Sequence, residues 1–288
     1  MEGNFLNGKK EGHGKEYLYN DLIFEGEYSN NKRNGKGKEY NAAGYLIFED
    51  EYLNGHRNGK GRQIFYTEDE NMDEDDYVEF EYIFEGEFLN DIRHGEGKLY
   101  NKDYILIFEG GYSNGLAHGK GKVYNDNGFL IFEGEFRNWL KNGKGKDYFR
   151  DGRIKFEGEF INNKENGQGI EYYHGDGEIK FKGEYKEGKR NGKGKEYRYG
   201  VKVFKSEFVN GVRNGFGKEY YPQNGKLKFE GEYLNCLRNG KGKEYYFKFG
   251  NLQFEGEYRM GERNGRGKEY YYNRVIYDGL YINGIRVK

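Results

Sequence analysis

The chain has 288 residues, with 48 glycines, one proline, 18% aromatic residues, and 48 Lys and Arg against 49 Asp and Glu. A net charge of −1 excludes the strongly basic character expected of a nucleic-acid-binding domain, and the aromatic content argues against disorder. We therefore expect no nucleic-acid partner.

Neither a transmembrane helix nor a secretory signal is predicted, because the sequence has no apolar run of about 18 residues and no apolar stretch near its start. The lone Cys236 has no internal disulfide partner, which suits a reducing compartment. The sequence therefore predicts an intracellular protein, in the cytoplasm or within a larger assembly.

One short motif recurs through the whole chain at nearly constant spacing. It is FEGEYSNNKRNGKGKEY at Phe24, and close variants begin at Phe132, Phe229 and Phe254. A catalytic motif is needed once, so a motif repeated about a dozen times indicates architecture. With the first aromatic residue taken as offset 0, the repeats begin at Met1, Phe24, Phe48, Phe84, Phe108, Phe132, Phe156, Phe181, Phe204, Phe229, Phe254 and Tyr277.

Each repeat predicts two short β-strands joined by a tight turn. The first strand, F-E-G-E-Y, places its Phe, Gly and Tyr on one face and both Glu on the other. Offsets 6 and 7 are most often Asn-Gly, as at Asn54 and Gly55, which favours a two-residue type I′ turn. A second connection of variable length, such as that containing Asn127 and Gly128, ends the repeat. The sequence therefore predicts an all-β antiparallel meander.

A two-residue turn also predicts the register of each hairpin. Offset 0 then lies opposite offset 13, so that Phe24 covers Gly37, and Glu25 faces Lys36. The same parity puts Tyr40 on the face of the glutamates unless a bulge intervenes at Gly-x-Gly. The register beyond that point stays open.

Side chains at the same offset are expected to form columns along stacked hairpins, in place of a two-layer core. Aromatic rings at offsets 0 and 4 should pack on the glycines at offsets 11 and 13. A ligand-stacking role for the rings is the less favoured alternative. The predicted aromatic and glycine ladder includes Phe24, Tyr28, Gly35, Gly37, Phe132, Phe136, Gly143, Gly145, Phe229, Tyr233, Gly240 and Gly242.

The unit F-E-G-E-Y-x-N-G-x-x-N-G-x-G-K-x-Y resembles the MORN (membrane occupation and recognition nexus) repeat, Y-x-G-x-W-x-x-G-x-x-H-G-x-G-x-Y. Here Phe replaces the first Tyr, Tyr or Phe replaces the Trp, and Asn mostly replaces the His. The resemblance covers Met1 to Ile285 and implies one array over 1–288, built as an elongated, gently curved single layer of stacked hairpins. It also implies a scaffold or dimerisation module, or a binder of anionic lipid, without enzymatic activity.

No catalytic, metal or cofactor residues are predicted. His94 and His118 share an offset one repeat apart, roughly 10 Å from each other, which is too far for joint zinc binding. Glutamates such as Glu25 and Glu39 recur in most repeats, which favours a lattice of ion pairs over a single catalytic site.

One connection is longer than the others and strongly acidic. It contains TEDENMDEDDYVEFE, about residues 67–81, in which nine of 15 residues are acidic. An EF-hand is excluded, because starting from Asp69 its sixth position is Glu74 rather than Gly. A solvated loop, a docking loop for a basic partner and weak calcium binding remain open, with Asp73, Glu74, Asp75 and Asp76 as candidate interaction residues.

Two bulky residues, Trp139 and Cys236, stand at offset 7, where Gly, Asn or Asp is otherwise found. A positive φ is costly for such residues. Either the turn type changes there, or Trp139 is an exposed anchor at a hairpin tip. Both residues are candidates for interaction.

The expected partners are another protein or a second copy of the chain, the latter pairing through the ends of the array, because an open edge strand invites pairing. The alternative is a peripheral tether to anionic phospholipids through the lysine-rich segments 32–38 and 189–195. That alternative requires Lys and Glu to lie on different faces.

Overall fold

The computed structural model describes residues 2–66 and 80–287, and within these ranges the chain forms β-strands joined by turns and no helix. The prediction of an all-β meander is confirmed. The strands are β1 (Glu2–Leu6), β2 (Lys9–Leu18), β3 (Asp21–Ser29), β4 (Lys32–Tyr40), β5 (Leu46–Leu53), β6 (His56–Tyr66), β7 (Phe80–Leu89), β8 (Ile92–Asn101), β9 (Leu106–Ser113), β10 (Leu116–Tyr124), β11 (Leu130–Arg137), β12 (Leu140–Tyr148), β13 (Ile154–Ile161), β14 (Lys164–Tyr172), β15 (Ile179–Lys186), β16 (Lys189–Arg198), β17 (Val201–Val209), β18 (Val212–Tyr220), β19 (Leu227–Leu234), β20 (Leu237–Tyr245), β21 (Leu252–Arg259), β22 (Glu262–Tyr271), β23 (Arg274–Ile282) and β24 (Ile285–Arg286).

The strands belong to two compact units. The N-terminal unit comprises Met1–Asn142 with Arg150–Gly152, and the C-terminal unit comprises Gly143–Phe149 with Arg153–Lys288. In the N-terminal unit β1 to β11 pair antiparallel in chain order. In the C-terminal unit the end of β12 pairs with β13, and the order continues to β24. Each unit is therefore a meander of successive hairpins.

The tight turns have the predicted left-handed backbone, with φ of 54° at Asn54 and 98° at Gly55. Turns in both units are also tied to the hairpin before them. The Gly55 N–H donates to the carbonyl of Arg33 at 2.9 Å, and the Gly261 N–H donates to that of Arg238 at 2.9 Å. Successive hairpin tips are thus linked by backbone hydrogen bonds in both units.

The predicted register was wrong at offset 0, by two residues. Phe24 lies opposite Glu39 rather than Gly37, and Glu25 lies opposite Lys38 rather than Lys36. Gly26 pairs with Gly37 and Tyr28 pairs with Arg33, so the second strand carries two extra residues in a bulge.

Two extra residues leave the parity of the strand unchanged, which settles the side on which Tyr40 lies. Its hydroxyl donates to Oε1 of Glu25 at 3.0 Å, on the face of the glutamates. The Phe24 ring still reaches Gly37 diagonally, because its Cε2 would lie 2.6 Å from a Cβ added to that glycine. The expected ring-on-glycine contact is therefore present despite the different register.

The rings at offsets 0 and 4 form the core. Phe24 is 0% exposed and Tyr28 is 5% exposed. The Phe24 ring makes edge contacts with Tyr28 of its own hairpin at 5.6 Å and with Tyr52 of the next hairpin at 5.1 Å. Such T-shaped contacts suit the charge distribution of aromatic rings. Each hairpin therefore buries its rings against those of its neighbour.

Replacing Gly242 with Ala should lower stability, because the new methyl group would lie 2.6 Å from Phe229 Cε2 and 3.2 Å from Tyr258 Cε2. We expect a loss of about 1–3 kcal/mol in urea unfolding, as for other overpacked cores. Gly175→Ala is the matched control, since nothing lies within 4 Å of its added Cβ. Equal stability of the two variants would contradict the role assigned to the ring-on-glycine contact.

Candidate functional site

Arginines at offset 9 cover the buried rings. The guanidinium carbon of Arg33 lies 4.1 Å from the centre of the Phe24 ring, and that of Arg263 lies 4.1 Å from the centre of Phe254. Guanidinium groups pack favourably on aromatic faces. The same stacking occurs for Arg57 on Phe48, Arg93 on Phe84, Arg190 on Phe181, Arg213 on Phe204, Arg238 on Phe229 and Arg286 on Tyr277.

Four of these arginines, Arg33, Arg190, Arg238 and Arg263, also bridge two carboxylates of neighbouring hairpins. Arg238 lies 3.0 Å from Glu219 of the preceding repeat and 2.9 Å from Glu244 of its own. In the C-terminal unit ion pairs join one run of Glu171, Arg190, Glu196 and Arg213, and a second run of Glu219, Arg238, Glu244, Arg263, Glu269 and Arg286. A shorter ladder in the N-terminal unit joins Lys10, Glu16, Arg33, Glu39 and Arg57.

The repeated glutamates and lysines of the sequence predict an ion-pair lattice, but not this arginine ladder. The available signal was the recurring Arg directly before Asn-Gly, as at Arg33 and Arg238. The ladder shifts the pKa values of its members. Burial raises the pKa of Glu219, but hydrogen bonds from Arg238 and Tyr233 outweigh it and lower that pKa to about 2.

The opposite face carries a second ladder of tyrosines, glutamates and lysines. The Tyr124 hydroxyl donates to Glu109 Oε1 at 2.7 Å, and Lys122 lies 3.2 Å from the same oxygen. Burial and this hydrogen bond raise the pKa of Tyr124 to about 12. Lys and Glu therefore share this face, as they also do at Lys38 and Glu25.

The glutamate at offset 3 explains the glycine at offset 11. Glu257 Oε2 accepts a hydrogen bond from the Arg266 N–H in the bulge at 3.1 Å. A Cβ on Gly265 would lie 2.9 Å from Glu257 Cβ, and the φ of 106° at Gly265 is itself unfavourable for other residues. The carboxylate thus holds the bulge, and the bulge requires glycine.

Trp139 lies where neither sequence alternative placed it. Its φ of 65° keeps the left-handed turn, so the turn type does not change, and its half-buried ring packs inside the N-terminal unit. The ring contacts Phe108 at 4.9 Å and Tyr112 at 5.7 Å. The residue at offset 9 beneath it is Ala117, which is fully buried. Trp139 therefore covers Phe108 where other repeats use an arginine.

Cys236 also keeps the left-handed turn, with φ of 67°, and its free thiol is exposed. Its Sγ accepts a hydrogen bond from the Arg213 N–H at 3.4 Å. In the same way, the Asp91 carboxylate accepts a hydrogen bond from the Arg57 N–H at 2.7 Å. A side chain at offset 7 can thus add a second link between hairpin tips.

The other candidate residues separate into two groups. The predicted ladder rings Phe132, Phe136, Phe229 and Tyr233 are all buried. Asp73, Glu74, Asp75 and Asp76 lie outside the described residues.

Within residues 2–66 and 80–287, no group of three His, Cys, Asp or Glu side chains is placed to hold a metal ion. In the same two ranges, no helix is long and apolar enough to cross a membrane.

Comparison with family models places the repeats in a known class. The model of the MORN repeat matches eleven segments, which are residues 2–21, 24–44, 51–69, 84–104, 108–128, 132–152, 156–176, 181–199, 204–226, 229–248 and 254–274. No curated protein matches the sequence.

The Glu219 carboxylate should make stability depend on pH. Its folded-state pKa of about 2 lies below the ordinary value of 4.5, so its contribution is present above about pH 4.5 and is lost as the pH falls toward 2. Between neutral pH and about pH 3, the wild-type chain should lose about 1–2 kcal/mol more stability in urea unfolding than Glu219→Gln. The exposed Glu262→Gln serves as control, and a Glu219→Gln profile parallel to that of the control would contradict the assignment.

Replacing Trp139 and placing an arginine at residue 117, the usual arginine position, tests whether the two side chains cover the Phe108 ring equally well. Trp139→Gly should cost about 1–3 kcal/mol, since it uncovers Phe108. Ala117→Arg alone should also lower the stability of the chain, because the Trp139 indole already occupies the place over the Phe108 ring. The double variant, Trp139→Gly with Ala117→Arg, should recover much of the stability that each single variant loses. Thermal unfolding measures all three, with Cys236→Gly as the control at the same turn position. If the double variant lost as much stability as the two single variants together, Trp139 and an arginine at residue 117 would not be interchangeable covers of Phe108.

Proposed function

The chain belongs to the MORN repeat family, and from this premise we propose that it is a non-enzymatic scaffold that brings proteins together and associates with itself. The core rings at offsets 0 and 4, such as Phe24 and Tyr28, are buried, so they are not available to stack on a ligand. Partners would instead meet the side chains at the two edges of each hairpin, where the turns lie.

The observation that carries this proposal is a row of exposed apolar side chains beside the tight turns. In the N-terminal unit the row comprises Leu89, Ile92, Leu116 and Leu140, which are 38% to 48% exposed. In the C-terminal unit Leu234 and Leu237 occupy the same offsets. Contiguous apolar surface of this kind is typical of protein interfaces.

Self-association is proposed through an open strand edge. Within the part of the chain that the structure describes, β24 pairs with β23 only at Tyr281 and Ile282. Alternate residues of β23 share one face, and three of them, Ile276, Leu280 and Ile282, are exposed apolar side chains. An edge strand with exposed apolar side chains favours pairing with another strand.

The repeated lysines give less support to an anionic membrane as the partner. That alternative needs Lys and Glu on different faces, whereas Lys243 lies 3.6 Å from Glu255 and Lys218 lies 2.8 Å from Glu230. Their charges offset each other on the same face. An intracellular location is part of the proposal, because the exposed Cys236 thiol suits a reducing compartment.

Sedimentation equilibrium of the full chain tests self-association, for which we expect an average mass that rises with concentration. Ile276→Lys with Leu280→Lys should weaken the association about 10-fold or more, since two charges would enter the paired edge. The control is Leu53→Lys, a side chain 50% exposed against 46% for Leu280. A strict monomer at high concentration would overturn the self-association proposal.

A further inference from the structure

Four consecutive connections of the C-terminal unit carry cations and no carboxylates. They are the segments 197–203, 220–228, 245–253 and 270–276, which we call the basic edge. They contain no Asp or Glu, although the whole chain has a net charge of −1. Their cations are Arg198, Lys202, Lys226, Lys228, Lys248 and Arg274.

The basic edge is a continuous surface, because the connections contact one another. Asn224 Nδ2 donates to the carbonyl of Phe247 at 3.1 Å, and Lys226 Nζ donates to that of Lys248 at 3.0 Å. The Tyr246 hydroxyl donates to the Tyr270 carbonyl at 2.9 Å. At the other end, a Cβ on Gly225 would lie 3.9 Å from Val201. A ligand could therefore contact several connections at once.

The positive charge of this edge is largely uncompensated. Lys228 has a carboxylate partner, Glu219, at 3.3 Å. Lys202 and Lys248 instead lie over the rings of Tyr220 and Phe249, at 4.0 Å and 5.4 Å. Arg198, Lys226 and Arg274 are exposed, and none of them has a carboxylate within 4 Å among the described residues. Glu178, from the neighbouring connection, lies beside this edge, since its Oε1 would be 3.5 Å from a Cβ on Gly200.

Exposed aromatic rings lie among these cations. Tyr199 is 78% exposed and Tyr272 is 66% exposed, and both have left-handed backbones with φ of 52° and 48°. That conformation costs roughly 1 kcal/mol or more for a residue such as tyrosine. The Tyr199 ring faces solvent, and the Tyr272 ring contacts Tyr271 at 4.5 Å but stays largely exposed, so packing within the chain offsets little of this cost. Contact with a partner would cover the rest of both rings.

The sequence itself contains a segment of matching charge. Residues 67–79 hold eight Asp and Glu and no Lys or Arg. Thirteen extended residues reach about 40 Å, and four connections about 10 Å apart extend over roughly 30 Å. Outside the basic edge the chain is net negative, which disfavours a membrane or a long nucleic acid that would also meet those surfaces.

We infer that the basic edge binds the acidic segment 67–79 of a second copy of this chain. The inference deepens the proposed self-association by naming a contact that charge holds together. It predicts association that weakens with salt, since exposed charges are screened over about 10 Å at 0.1 M ionic strength. Pairing of strand edges through backbone groups and apolar side chains would depend much less on salt.

The first test compares two variants of the full chain that carry the same change in charge. The edge variant is Arg198→Glu, Lys226→Glu, Lys248→Glu and Arg274→Glu, and the control is Lys186→Glu, Lys189→Glu, Lys193→Glu and Lys241→Glu, all exposed residues of the same unit. The dimer dissociation constant, measured by sedimentation equilibrium, should rise at least 10-fold for the edge variant and change little for the control. Equal effects in the two variants would overturn the inference.

The second test restores the contact by exchanging charges. A segment variant with Asp73→Lys, Glu74→Lys, Asp75→Lys and Asp76→Lys should lose association alone and regain it when mixed with the edge variant. Cross-linking should join the segment of one copy to the edge of another. Links confined to single chains, or a mixture that stays monomeric while the wild-type chain dimerises, would contradict the inference.

A third test separates this inference from the proposed function. A fluorescent peptide of residues 67–79 should bind the full chain and not the edge variant, and a peptide with Asn and Gln in place of Asp and Glu should bind neither. If the peptide fails to bind while the chain still self-associates, the inference is wrong and the scaffold proposal stands. Preferential binding of acidic phospholipid vesicles or of a single-stranded oligonucleotide to the edge would also overturn it.

Discussion

The structure depends on one contact, an aromatic ring lying on a pair of glycines that face each other across two strands. Gly26 pairs with Gly37, and a Cβ on Gly26 would lie 2.8 Å from Phe24 Cζ and 2.5 Å from the Cα of Gly37. With no Cβ at either position, the ring can approach the backbone itself. A core can then form although each unit is a meander of hairpins, because the rings of one hairpin bury those of the next.

Charged side chains cover the aromatic core. Arginine stems and guanidinium groups cover the outer faces of the rings, and at positions such as Arg238 carboxylates from two neighbouring hairpins hold the guanidinium in place. An abundance of Lys, Arg, Asp and Glu is therefore compatible with a buried aromatic core. The balance between cations and carboxylates follows from this alternation, and the departures from balance are the places where a partner is to be sought.

Departures from the repeat have different physical meanings. Trp139 stands at a turn position that otherwise favours small residues, yet its ring covers Phe108 in place of the missing arginine, so the exception preserves the core. Tyr199 and Tyr272 also occupy left-handed positions, but their rings stay exposed. An unusual residue such as Trp139, which packs on its own chain, is explained by the packing that it adds to the core. Tyr199, which remains 78% exposed at the same backbone cost, is not accounted for in this way.

The sequence by itself determined the strands, the turns and the buried columns, because these follow from alternation, from Asn-Gly pairs and from the lack of a Cβ on glycine. It did not determine the register, since the bulge at Asn34, Gly35 and Lys36 depends on a carboxylate contact from the opposite strand. Nor could it place Trp139 over Phe108, because that ring reaches across to the preceding repeat. The tertiary structure decided both, since each depends on which side chain of one hairpin fills the space left by its neighbour.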